Sequence, residues 1–406
     1  MPEIGEVARV LHHLRRHTLH RTIATCTAHD DPIVYGKVGT SAAAFQSAVS
    51  GRTITGAGQQ GKYFYLTFDR PPHAVMHLGM TGWVKVSSEE TGYYRSKKEK
   101  EMEEKGEAGE WPPKYCKFVL GFEKEEEGEG QGREAVEVAF VDPRRLARIR
   151  LVECAEGEVR NVSPLKENGP DPVVDGEVFT VGFLGALMGR KKVPVKALLL
   201  DQGNISGIGN WVADEVLYQA RIHPEQYSNT FDEEQIKRLH EAIVYVCTTA
   251  CETLADSEKF PETWLMKYRW DKGKKDGNVL PNGEKIVHLK VGGRTSAIVP
   301  SVQKKTAAVA GDVSSAEVSE TEKPAKGRKR KVKAEEEDEE EEEEQKPAGK
   351  KTTARGKGKV NGVKAEQTEE DADGGAEQKP KKTKAAAKKA EKPATPGSRR
   401  STRTKA

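Results

Sequence analysis

Between residues 6 and 17, Val7, Val10, Leu11 and Leu14 recur at the spacing of one helical face, with Arg15 and Arg16 near the end. An amphipathic helix is therefore expected almost at the start of the chain. Short runs rich in β-branched and aromatic residues follow at 63–68, 74–78, 83–86, 117–122 and 136–141. Gly, Pro and charged turns separate them, so they read as strands. One helix against several strands predicts a β-sandwich with helical flanks. Beyond residue 172 apolar positions take up helical periodicity over 179–187, 193–200, 211–220 and 231–254. Residues 264–303 return to Gly-rich turns and β-branched pairs, which predicts a hairpin. The fold class is α+β.

Breaks in this pattern set the expected boundaries. Residues 163–172 carry three prolines and a glycine and read as an interdomain linker, placed at 161–175 between a sandwich domain of residues 1–160 and a helical domain of residues 176–262. The hairpin occupies 263–304. Within the sandwich, residues 88–137 hold 9 basic against 15 acidic residues, and an acidic insertion over about 88–135 is expected as a solvated loop around the strand at 117–122. From Lys305 to Ala406 there are 26 basic and 21 acidic residues but no Phe, Trp, Tyr or Cys. Such a stretch buries too little apolar surface to offset its ordering entropy, so a disordered C-terminal tail is predicted.

Charge and cysteine usage narrow the function classes. Residues 1–304 carry 41 basic and 43 acidic residues, so bulk charge does not announce a nucleic-acid binder and any basic surface must be local. No run of eighteen apolar residues suggests a membrane span. The acidic start, Pro2-Glu3-Ile4-Gly5-Glu6, has no apolar core of the kind a secretory signal needs. Cys26, Cys116, Cys154, Cys247 and Cys251 are scattered, as suits free thiols in a reducing compartment. Cys247 and Cys251 read as two small core residues on one helical face, because no nearby Cys or His pair completes a metal site.

The segment Leu200-Asp201-Gln202-Gly203-Asn204-Ile205-Ser206-Gly207-Ile208-Gly209-Asn210-Trp211 joins two apolar helices through two successive turns. Gly203, Gly207 and Gly209 let the backbone come close to a ligand. Asn210 stands at or next to an N-cap, where free N–H groups and the helix dipole suit a phosphate oxygen.

With that segment in view, residues 1–304 resemble the formamidopyrimidine-DNA glycosylase (Fpg/Nei) family. The segment is similar to the family's helix–two-turn–helix DNA-binding motif. Pro2-Glu3-Ile4-Gly5-Glu6-Val7 resembles its catalytic N-terminus, and Gly61-Lys62-Tyr63 and His77-Leu78-Gly79-Met80-Thr81-Gly82 match its interior motifs, all in the family's order. The resemblance implies a bifunctional DNA glycosylase and AP lyase acting on oxidised purines, chiefly formamidopyrimidines, in duplex DNA, with activity on 8-oxoguanine and its further oxidation products left open. Removal of Met1 would expose the secondary amine of Pro2, less basic than a lysine, to attack C1′ of the damaged nucleoside and form an iminium. Strand scission by β,δ-elimination can then follow. By the same resemblance Glu3 is the proton donor, Glu6 supports it in one pocket, and Lys62 contacts phosphate and donates a proton during elimination.

Asn210 and Arg294 would complete the phosphate clamp, with Arg294 also the proton donor for δ-elimination. His77 belongs to the DNA-binding set. Met80, Arg144 and Leu146 match the positions that fill the void left by an everted base, with a leucine where bacterial members usually carry an aromatic wedge. Bacterial members close their C-terminal finger with four zinc-binding cysteines. This chain has no cysteine after Cys251, so the resemblance is to the zincless-finger hairpin of eukaryotic relatives, with Trp264, Trp270 and β-branched residues expected to supply the packing. No metal and no organic cofactor are expected, because the amine supplies the covalent chemistry. The expected partner is double-stranded DNA with oxidised bases or abasic sites, not a membrane, and a monomer is the default. The cluster Lys326-Gly327-Arg328-Lys329-Arg330-Lys331-Val332-Lys333 resembles a nuclear localisation signal. Two alternatives remain at this point: a Nei-like preference for oxidised pyrimidines, and a non-catalytic DNA- or chromatin-binding protein.

Overall fold

The computed structural model describes residues 2–92, 110–125, 132–270 and 278–306. The expected disordered tail from residue 307 on, about half of the acidic insertion (93–109 and 126–131) and the basic cluster at 326–333 lie outside them. Two four-stranded antiparallel sheets form the N-terminal half. One has the order β1 (Thr25–Ala28), β6 (Cys116–Phe122), β7 (Val136–Val141) and β5 (Trp83–Val86). The other has the order β2 (Ile54–Gln60), β3 (Tyr63–Phe68), β4 (His73–His77) and β8 (Arg148–Val152). Alternating side chains such as Phe64, Leu66, Phe118 and Phe140 meet between the sheets, and helix α2 (Ala42–Val49) adds Phe45. Strands β1, β2 and β8 and helix α2 were not legible in advance. Thr25-Cys26-Thr27-Ala28 is too short to show a period, β2 runs through Gly56 and Gly58, and β8 alternates Arg148 and Arg150 with Ile149 and Leu151.

Helix α1 (Ile4–Thr18) belongs to both halves of the molecule. Its Val7, Val10 and Leu14 enter the sandwich core, whereas Ile4 is buried among the helices of the second half. That second half comprises α3 (Val181–Arg190), α4 (Val195–Leu200), α5 (Asn210–Gln219) and α6 (Glu233–Glu252), packed around Phe179, Trp211, Phe260 and Trp264. The contact between α1 and α6 is close enough that a Cβ on Gly5 would lie 2.8 Å from the Ala250 carbonyl oxygen, so only glycine fits there. Residues 163–172 are not a loose linker. Leu165 and Asp171 are fully buried, and the Asp171 carboxylate accepts the N–H groups of Gly61 (2.7 Å), Val173 (2.8 Å) and Val174 (3.1 Å). A polar group buried this deeply is tolerated because it is bonded on every side. Among the described residues no helix is long and apolar enough to cross a membrane.

Strands β9 (Val287–Val291) and β10 (Arg294–Ile298) form the C-terminal hairpin, turning through Gly292 and Gly293 at φ of 60° and 78°. Two successive left-handed residues are what a tight two-residue hairpin turn needs. The hairpin has no cysteine, and its one histidine, His288, is aimed at the Arg269 carbonyl (3.3 Å), so it has no donor set for the zinc of bacterial fingers. A small core of Leu265, Leu280, Ile286, Ala297 and Val299 fills it. Trp264 is buried but packs with Phe260 among the helices, and Trp270 is 57% exposed, so the two tryptophans do not form the hairpin's core. The attachment is instead ionic. The fully buried Lys196 of α4 donates to Asp214 (2.6 Å), Asn210 (2.7 Å) and Ser296 (2.7 Å), and Asp214 also accepts from Arg269 (2.7 Å) and the Ala297 N–H (3.0 Å).

Removing one member of such a buried set leaves the others uncompensated. Lys196→Met is expected to lower stability by about 3–5 kcal/mol in urea denaturation, with the hairpin amides the first to lose protection from hydrogen exchange.

Candidate active site

The chain's first residues are fixed by a helix that begins far along the sequence. Gly209, the N-cap of α5, has no side chain with which to satisfy the helix's free N–H groups. The Glu3 carboxylate does so, accepting from the N–H of Gly209 (2.8 Å), Trp211 (3.0 Å) and Val212 (3.1 Å). The group thus lies at the N-terminal, positive end of the helix dipole. A Cβ on Gly209 would lie 2.2 Å from the Glu3 carboxyl carbon, so the glycine is required by proximity. Glu6 closes the arrangement: one oxygen accepts from the Glu3 N–H (3.0 Å) and the other from the Trp211 indole N–H (3.2 Å). Burial, and then the neighbouring Glu3 carboxylate, push the Glu6 pKa up to about 7.

Lys62 approaches from the turn between β2 and β3. Gly61 precedes it at φ 58°, where a Cβ would strike the Gly207 N–H at 2.5 Å; the turn therefore rests directly on the second turn of the 201–209 segment. Gln202 stitches that turn, accepting from the Gly207 N–H (2.9 Å) and donating to the Ile208 carbonyl (2.8 Å). Among the described residues Lys62 donates no hydrogen bond. Burial pulls its pKa down and Arg294 adds to this, while Glu3 and Glu6 oppose it. His77 lies on the same side, its ring centroid 4.8 Å from that of Tyr63. Burial, followed by Lys62, Arg148 and Arg150, lowers its pKa to about 4. It is therefore neutral near pH 7; because Nδ1 accepts from the Gly79 N–H (3.0 Å), Nε2 carries the proton and can donate.

Asn210 is placed differently from a simple phosphate ligand. Its Oδ1 accepts from Lys196 (2.7 Å) and its Nδ2 donates to the Thr295 carbonyl (3.1 Å), so the side chain ties α5 to the residue after Arg294. One amide hydrogen remains for a ligand.

The three candidate void-filling residues stand on two loops that touch. Gly79, at φ 66°, lies against the Leu146–Ala147 peptide, where a Cβ would be 2.5 Å from the Leu146 carbonyl carbon. Asp142 is fully buried and bonds both loops, accepting from the Thr81 hydroxyl (2.7 Å) and from the N–H of Arg144 (3.2 Å) and Ala147 (2.7 Å). Met80 and Leu146 are half-buried and Arg144 is exposed. The adjacent Arg145 turns away through φ 59° to pair with Asp31 (2.9 Å). Sequence reasoning missed Asp142, Asp171, Gln202, Lys196 and Asp214, although Asp171 stands in the 163–172 segment, Lys196 in the 193–200 run and Gln202 in the two-turn segment. A buried carboxylate that holds backbone leaves no periodic trace.

Comparison with known proteins agrees with this geometry. The family profile "Formamidopyrimidine-DNA glycosylase N-terminal domain" matches residues 1–149, and "Formamidopyrimidine-DNA glycosylase H2TH domain" matches residues 169–261. A formamidopyrimidine-DNA glycosylase of Arabidopsis thaliana is 37% identical over 305 residues, covering 75% of this chain and 71% of that protein. The chain belongs to the formamidopyrimidine-DNA glycosylase family. Another relative so named, from Desulfitobacterium hafniense, is 30% identical over 247 residues, 61% of this chain and 77% of its own. Among solved structures, a Lactococcus lactis formamidopyrimidine-DNA glycosylase non-covalently bound to DNA containing an AP site shares the fold at a TM-score of 0.56 and 24% identity, over 75% of this chain and 100% of that one. A complex of the Lactococcus lactis protein with DNA containing FAPY-dG has the same TM-score and coverage at 22% identity.

The raised pKa of Glu6 makes this family member's stability depend on pH in a defined direction. A carboxyl at about 7 in the folded chain and near 4.5 in the unfolded one stabilises the fold fully below pH 4.5, and that contribution is lost as pH rises through 7. Glu215, also pushed up to about 7, adds a second contribution of the same sign. Glu6→Gln is expected to gain about 3 kcal/mol relative to wild type between pH 4.5 and pH 8, read from urea midpoints at the two pH values.

Proposed function

We propose that this chain is a bifunctional DNA glycosylase and AP lyase of base excision repair, which excises oxidised purines from duplex DNA and then cuts the strand. One observation carries the reading: the Glu3 bonds to the start of α5 bring the Pro2 end of α1 to the place where Lys62, Arg294 and the two-turn segment converge. With Met1 removed, the Pro2 nitrogen attacks C1′. The glycosidic bond breaks with its electron pair going to the base, which takes up a proton, and the sugar ring opens to an iminium. Glu3 moves the proton at the ring oxygen, while Glu6, near its pKa at neutrality, holds a proton in the same pocket. The iminium acidifies the 2′ hydrogen. Loss of that hydrogen expels the 3′ phosphate, and a second elimination expels the 5′ phosphate.

Lys62, its pKa depressed by burial and its amine without a hydrogen bond among the described residues, serves as phosphate ligand and proton carrier in these eliminations. Arg294 grips the phosphate from the hairpin and serves the second elimination. Met80, Arg144 and Leu146 fill the space of the everted nucleotide, with Arg144 meeting the orphaned base. His77, neutral, donates from Nε2 without adding charge. Nuclear residence, suggested by the basic cluster at 326–333, is part of the same proposal.

Borohydride trapping on duplexes carrying formamidopyrimidine, 8-oxoguanine or an oxidised pyrimidine, together with N-terminal mass analysis, tests it. A covalent adduct is expected for the wild type, foremost with formamidopyrimidine, and at most a weak one for Pro2→Gly. Binding without any adduct on a chain lacking Met1 sinks the enzyme reading, and preferential trapping on the oxidised pyrimidine moves the substrate class. Gly209→Ala, which displaces Glu3, should slow single-turnover base release about 100-fold with the circular dichroism unchanged. In salt titrations of binding to an abasic-analogue duplex, Lys62→Ala and Arg294→Ala should each flatten the log–log slope by about one.

A further inference from the structure

The C-terminal half of α1 carries a cluster of side chains that the reaction does not use. His13 and His17, one helical turn apart on the same face, both point at Glu89, which follows β5. His13 Nδ1 lies 2.5 Å and His17 Nε2 2.8 Å from the same atom, Glu89 Oε1, and the three candidate ligand atoms all lie within 4.8 Å of one another. We propose that His13, His17 and Glu89 form a binding site for a divalent transition-metal ion, zinc(II) by preference, that ties α1 to the β5 sheet.

Ligand chemistry selects the metal. Two imidazoles and one carboxylate suit zinc, whereas magnesium and calcium prefer oxygen-only shells. A tetrahedral zinc holds its ligand atoms about 3.3 Å apart, so the two contacts to Oε1 need to open by less than about 1 Å. The carboxylate is already oriented. Its other oxygen, Oε2, accepts from Arg16 (3.1 Å), leaving Oε1 to face both rings, the arrangement by which outer partners align a metal-binding carboxylate.

The backbone that carries Glu89 is also held in place. Glu89 bridges to Val86, and the next residues are fastened to α1 by Arg9, which donates to the carbonyls of Thr91 (2.9 Å) and Gly92 (3.0 Å). Trp83 donates to the Thr91 hydroxyl (3.2 Å) from the other side. The side chains of His13, His17 and Glu89 are 11%, 16% and 22% exposed, so an ion can enter and water can complete its shell. The cluster lies three to four helical turns from Glu3, roughly 20 Å along α1, and is separate from the catalytic pocket. An ion there would stiffen the far end of the helix that presents Glu3 and Glu6. Without an ion, the same residues form a hydrogen-bonded cluster only, and the experiment distinguishes the two.

The full chain, stripped with a chelator, would be titrated with zinc(II) by calorimetry beside His17→Gln and Glu89→Gln, and cobalt(II) would report the ligands by absorption. The wild type is expected to bind one equivalent that each variant loses or holds about 100-fold more weakly. Excess zinc should raise its Tm by about 5 °C and leave the variants' Tm unmoved. Cobalt should give tetrahedral d–d bands without thiolate charge transfer, and both variants should retain wild-type borohydride trapping. Equal zinc stoichiometry and affinity in all three proteins, or a cobalt spectrum dominated by thiolate charge transfer, would overturn the proposal by placing the ion in the tail or on the cysteines.

Discussion

A helix whose N-cap is a glycine cannot satisfy its own first N–H groups, and in this protein a carboxylate 206 residues upstream does it instead. Much else follows from that substitution. For Glu3 to reach the start of α5, α1 must cross from the sandwich to the helical half, so its first turn is buried among helices and its later turns among strands. The approach leaves no room for side chains at Gly5, Gly61, Gly207 or Gly209, each of which would drive a Cβ to within 3 Å of a neighbour. Glu3 is held by three backbone N–H groups, and burial beside it raises the pKa of the second carboxyl in the pocket, Glu6. A structural requirement thus leaves one carboxyl near pKa 7 beside the N-terminal end of the chain.

Attachment of the hairpin solves a different problem. With no metal ligands, the hairpin has only a small apolar core of its own. Lys196, Asp214 and Arg269 supply direction rather than much net energy, since buried charges recover little more than their desolvation cost. Their hydrogen bonds specify position narrowly: Asp214 accepts from the backbone of Ala297, Lys196 reaches Ser296, and Asn210 holds the Thr295 carbonyl. Arg294 immediately precedes these three anchored residues in β10, so its backbone inherits the rigidity of α4 and α5. Asp142 does the corresponding work elsewhere, where one carboxylate fixes both loops that carry Met80, Arg144 and Leu146.

Residue types and spacing were enough to read the α+β class, the order of sandwich, helices and hairpin, and the residues that carry charge or an amine. Hydrophobic periodicity is local, and Pro2, Glu3, Lys62 and Arg294 stand in short motifs whose chemistry can be named one residue at a time. Strands β2 and β8 escaped notice because one is rich in glycine and the other bears arginines on its alternate positions. The 163–172 segment looked like a linker because proline and glycine count the same whether a turn is free or packed. Only the tertiary structure decided that Glu3 caps α5, that Asn210 ties α5 to the hairpin, and that Asp142, Asp171 and Lys196 are buried supports. Each of those roles is a contact between residues far apart in the chain, and a buried polar group is defined by partners that no local pattern can supply.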